Sequence, residues 1–175
     1  MTNYRIFVQY SKLIGLAFKS MKYKRLTLEE LEVLQQDFIS FLASAQITGA
    51  DWEKMKKEEN EKANQLIDVF SDVVYDKVLS RISYLEYRDP KTLNIFYFAE
   101  DKMYLIGLRV KKTSALDLTA PDVTTQWSSV SNASVNVIRS EKKYEKERQM
   151  EVFELLQTGC LITDDRMFKL LNSIV

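Results

Sequence analysis

The chain has 175 residues, with 25 basic and 25 acidic side chains, no His, one Cys, four Gly and two Pro. That length suits one domain, which can bury roughly two-thirds of the surface its unfolded form exposes without a disulfide or metal staple. The missing His removes Ser–His and Cys–His dyads and His metal ligands; the lone Cys removes an intrachain disulfide; the scattered glycines cannot form a phosphate-binding loop.

The zero net charge is a sum over unlike parts. Residues 1–25 carry six basic and no acidic side chains, so the other 150 carry a net −6. Residues 1–20 are basic and apolar. Three readings fit them: a non-native extension before a start at Met21, a docking segment, or a helix lying on a membrane surface. They make a poor secretory signal, because Gln9, Ser11 and Lys12 interrupt the apolar stretch. No run approaches the ~20 apolar residues of a membrane-spanning helix. The location expected is the cytoplasm.

The spacing predicts a first helix over Thr27–Gln46. Thr27 and Glu30 form a capping box, and Leu31, Leu34, Phe38, Phe41 and Leu42 share a face. Thr48-Gly49 is expected to end it. Asp51 is expected to cap a short helix bearing Trp52 and Met55. A longer helix follows from about Asn60 to Ile82, with Leu66, Ile67, Phe70, Val73 and Val74 on its buried side.

Beyond Ser83 the texture turns to strand. Tyr84–Arg88 is short and aromatic, Asp89-Pro90-Lys91 is a turn, and Leu93–Ala99 and Lys102–Val110 form a hairpin. Both long strands are apolar on both faces, so a second cover, from the C-terminal helix or a partner, is expected. Ala115–Thr119 reads as a possible edge strand, and 121–134 around Trp127 as a loop. From Val135 to about Thr158 the interleaved charges read as a solvated helix. Gly159 suits a left-handed helix end, and Thr163 a cap for a last amphipathic helix. The fold class is α+β: N-terminal helices, a small antiparallel sheet of three to four strands, and C-terminal helices.

Four stretches carry a family resemblance: MKYKRLTLEELEVL at 21–34, ADWEKMKKEENEKA at 50–63, LIDVFSDVVYDKVL at 66–79 and YLEYRDPKTLNIFYFAEDKMYLIGL at 84–108. From Met21 onward the chain resembles a family of uncharacterised bacterial proteins, a domain of unknown function. The resemblance implies a small cytoplasmic protein that starts near Met21, with 21–175 as one domain. It implies no activity and no catalytic residues.

The candidate site for a ligand or partner is Glu86, Tyr87, Arg88 and Asp89 with Trp127. A carboxylate beside a guanidinium on one strand face suits an anionic or peptide ligand. A plain cross-strand ion pair explains the same residues. Asp68, Asp72 and Asp76 share a helix face and read as a solvated acidic surface rather than a metal site. Cys160, among apolar neighbours, reads as an inert buried thiol. No cofactor or metal is expected. The acidic body disfavours nucleic acid. The leading expectation is a non-enzymatic protein-binding or adaptor module with a protein partner or self-association. The alternative is a small-ligand binder, or a carboxylate- or tyrosine-based enzyme, with a pocket between helices and sheet.

Overall fold

A computed structural model describes residues 21–120 and 134–174. The leader at 1–20, Trp127 and most of its loop lie outside the described residues. The chain divides into two compact units, up to Lys77 and from Val78.

The first unit is helical. α1 (Leu28–Val33) opens on the expected capping box: Thr27 Oγ1 accepts from the Glu30 N–H at 3.2 Å, and Glu30 Oε2 accepts from the Thr27 N–H at 2.8 Å. The single helix expected over Thr27–Gln46 is in fact two. Leu34, at φ −94° and ψ 15°, separates α1 from α2 (Gln35–Ser44) and packs on the unit's core. Tertiary packing overrides a continuous local propensity here. The chain leaves α2 through Gln46, whose φ is 61°, and not at Thr48-Gly49. Thr48 instead caps α3 (Gly49–Glu58), and Asp51, expected as the cap, is the third residue that closes the box. α4 (Asn60–Leu79) follows and runs across the boundary between the units. Leu26, Phe41, Leu42, Leu66 and Phe70 form the core of this unit. Phe38 meets Trp52 and Phe70 edge-on at 5.2 and 5.0 Å.

The second unit is a five-stranded antiparallel sheet with two helices. Its strands are β1 (Tyr84–Asp89), β2 (Thr92–Phe98), β3 (Lys102–Val110), β4 (Val135–Lys143) and β5 (Leu161–Thr163), in the order β4-β3-β2-β1-β5. Five strands replace the three or four expected. β4 is the main correction, since a helix was expected from Val135. It pairs with β3 from Lys102↔Lys143 to Val110↔Val135. As an edge strand it exposes Arg139, Glu141, Lys142 and Lys143, and a charged exposed strand carries the same composition as a charged exposed helix. α5 (Arg148–Gln157) begins only where apolar residues return. Ala115–Thr119 is not a strand, although Leu118 is fully buried.

α5 ends as expected at Gly159, with φ +94°. α6 (Asp165–Ile174) is capped by Asp164 rather than Thr163: Asp164 Oδ1 accepts from the Arg166 N–H at 3.0 Å. α6 packs on β2 and β3, supplying a cover for one face of the sheet. The core on that face joins Leu93, Ile95, Ile106 and Leu108 to Leu118, Val135 and Leu171. On the opposite face Leu85, Phe96 and Phe98 are also buried.

Candidate functional site

Alternation along β1 puts Tyr84, Glu86 and Arg88 on the α6 side of the sheet and Leu85, Tyr87 and Asp89 on the other. Arg88 Nε donates to Glu86 Oε1 at 2.7 Å, and both side chains are about four-fifths buried, with 23% and 20% exposed. Arg88 Nη1 also donates to the Leu118 carbonyl at 3.3 Å. The pair therefore holds the 111–120 segment against the sheet. Lys91 Nζ adds bonds to the Ser114 and Leu116 carbonyls at 3.2 and 2.9 Å. Asp89 stands in the turn, where its Oδ1 accepts from the Lys91 N–H at 2.8 Å. That bond, together with contacts from Thr92 and Tyr87, outweighs a small burial cost and holds the Asp89 carboxyl below the usual range. The structure thus brings Glu86, Arg88 and the 111–120 segment together, places Tyr87 on the opposite face and leaves Trp127 outside the described residues.

The three aspartates of α4 are not an open acidic surface. Asp72 accepts from the backbone N–H of Lys22 at 2.7 Å and of Tyr23 at 3.0 Å. Asp76 Oδ1 takes Lys22 Nζ at 2.8 Å and the Tyr23 hydroxyl at 2.5 Å, and Asp68 takes Arg25 Nε at 2.5 Å. Ser71 completes the row, accepting from the Leu26 N–H at 3.1 Å. Burial and then the bond to Asp76 lift the Tyr23 phenol well above its usual range. Partial burial also raises the Asp72 carboxyl, despite the two N–H bonds. The signal for this clamp was present in the sequence as two separate facts, a basic stretch at 22–25 and an acidic row at 68–76. Only the fold joins them. Among the described residues no group of three or more Asp, Glu or Cys side chains is placed to hold a metal ion.

Arg148 lies in the stretch whose interleaved charges read as a solvated helix. Its guanidinium gathers the carbonyls of Ile82, Phe98, Ala99 and Leu79 at 2.6, 3.2, 3.3 and 3.4 Å. Nearby, Glu151 is 6% exposed and accepts from Lys142 Nζ at 2.9 Å and the Glu145 N–H at 3.0 Å. Cys160 is buried, and burial raises its thiol pKa, which suits an inert side chain. These contacts organise backbone; none assembles a nucleophile with a base.

Residues 21–175 match the profile of a family of unknown function, DUF6495. The chain belongs to this family. The match begins at Met21, one residue before the first clamp contact at Lys22, so the DUF6495 region takes in both the clamp and the sheet. No curated protein and no solved structure matches the chain. No described helix of this DUF6495 member is long and apolar enough to cross a membrane.

Proposed function

We propose that the chain is a non-enzymatic protein-binding or adaptor module of the bacterial cytoplasm, and that it takes an extended segment of a partner protein along the outer edge of β5. One observation carries this reading. β5 is an edge strand with no charged residue, and Leu161 and Ile162 are 72% and 62% exposed on its two faces. The opposite edge, β4, carries charges of the kind that discourage strand addition. An added strand gains main-chain hydrogen bonds and seats alternate side chains on either face. A second copy fits less well, because two three-residue strands alone fall far short of the ~800 Å² per partner of a stable interface. Glu86 belongs to the docking region because it lies opposite Leu161 in register. Tyr87, Arg88 and Asp89 continue that strand, and Trp127 is proposed with them as a partner contact.

The test combines light scattering with affinity purification from the native cell, using the intact chain and the Ile162→Lys variant. Ile162 is exposed, so the substitution leaves the fold intact. The expected result is a partner retained by the intact chain and lost from the variant, with Leu161–Thr163 amides protected from exchange in the complex. A clean monomer with an empty pull-down counts against the reading, as does a partner that binds the variant equally.

A further inference from the structure

Beside α6 a groove of about 300 Å³ opens over the β3–β4 pair. Its floor is Tyr104 and Ile106, two residues apart on β3 and so on one face. The helix wall is Phe168 and Asn172, four apart on α6 and so also on one face. The strand wall is Arg139, opposite Ile106 in register, and Glu141, opposite Tyr104.

Two features single this groove out. The first is aromatic. Tyr84, Tyr97 and Tyr104 stack as a row across the sheet, at 4.9 and 5.8 Å between successive rings. Phe168 lies over the first two, at 5.7 and 5.5 Å, which leaves Tyr104 at the end of the row in the groove. The second is charge. Glu141 is answered by Lys102 Nζ at 3.0 Å, and the same ammonium sits 4.9 Å from the Tyr104 ring centre. Arg139 and Asn172 have exposed side chains and make no side-chain hydrogen bond or ion pair among the described residues. The groove therefore presents one uncompensated guanidinium and one free carboxamide beside an apolar, aromatic floor.

We propose that this groove binds a small aromatic carboxylate, its ring against Tyr104, Ile106 and Phe168 and its carboxylate on Arg139, with the Asn172 amide as second donor. A planar guanidinium matches a carboxylate through two parallel hydrogen bonds. A single unanswered positive charge suits a monoanion. The volume sits at the small end of the ~300–1,000 Å³ range of small-molecule sites, which suits one ring and its acid group rather than a peptide. This site is separate from the β5 edge, so it stands or falls independently of the partner reading.

The experiment titrates the full chain with benzoate and, separately, with neutral benzamide, following the Asn172 side-chain amide and the Phe168 ring by NMR. Benzoate is expected to shift both in a saturable way below about 10 mM, the range of a weak small-ligand contact. Benzamide is expected to leave them in place. Arg139→Gln, an exposed change whose folding is checked by its amide spectrum, is expected to weaken benzoate at least about tenfold. Arg166→Gln, at an exposed arginine paired with Asp164 on α6, is expected to bind like the parent chain. No saturable shift, equal shifts with benzamide, or undiminished binding by the Arg139 variant overturns the proposal.

Discussion

At the scale of single residues, several charged side chains hold the fold by bonding to backbone. Arg148 is the clearest case, with four carbonyls from the end of α4, the link to β1 and the end of β2 within reach of one guanidinium. Charge-assisted bonds of this kind contribute more than neutral ones, and removing the donor leaves half-buried carbonyls unsatisfied. Arg148→Ala is therefore expected to destabilise the protein by about 2–3 kcal/mol in urea melts. Arg148→Lys should recover only part of that, because an ammonium cannot fan out to four acceptors as a planar fork does. The same residue shows what sequence reading misses. Arg148 sits among Lys142, Glu145, Glu147 and Glu151, and spacing along one chain cannot say that its partners are carbonyls some 50 and more residues away. Thr27, by contrast, was legible, because its partner Glu30 is three residues off.

Among the elements, legibility followed how local the determinants are. β1, β2 and β3 were readable from dense aromatic and β-branched residues and from the Asp89-Pro90-Lys91 turn. β4 was not, because its charges fit either period and its strand state depends on β3 beside it. β5 was missed because three residues hold too little pattern. The Glu86–Arg88 pair was legible as a pair, but its use as a tether for the 111–120 segment depended on where Leu118 falls. Gly107 in the middle of β3 is a test of sheet packing. A Cβ there would stand 2.6 Å from Asn94 Oδ1 and 2.8 Å from the Leu93 carbonyl. Asn94 Oδ1 is also the acceptor of Arg109 Nη1, at 2.8 Å. Gly107→Ala must displace that bond or push β2 from β3. A loss of about 1–3 kcal/mol is expected, the usual range for overpacking, measured by thermal or urea denaturation. A neutral outcome would show that the two strands separate locally without cost.

For the whole molecule, two carboxyls pull the acid response in opposite directions. Burial by itself would raise Glu151, but Lys142 and the Glu145 N–H outweigh it and hold the carboxyl below its ordinary range. Its contribution is therefore complete above the unfolded value of about 4.3, and is lost as pH falls through the lower folded value. Asp72 acts the other way. Its carboxyl is raised in the folded chain, so folding takes up a proton and gains stability as pH falls through that raised value. Urea melts of the parent chain and Glu151→Gln, followed by far-UV circular dichroism from pH 7 to pH 3, should show the parent's advantage shrinking below about pH 4.3. An advantage that is constant across that range would remove Glu151 from the acid response.

The aspartate row of α4 has a consequence for how this chain can change over time. Lys22 meets Asp76 and Arg25 meets Asp68, so the docked segment runs opposite to the helix. Residues 22–25, bent at Lys22 and Tyr23, span at most ~10 Å, and eight helical residues advance ~12 Å. The two spacings agree closely enough for every contact to be made at once, as on a vernier. An insertion or deletion of one residue between Lys22 and Leu26, or between Asp68 and Asp76, shifts the scale and unseats the whole row. Substitutions on one side invite compensation on the other. Length should therefore be held fixed in these two stretches among relatives, and a relative that lacks the acids of the helix should also lack the bases that meet them.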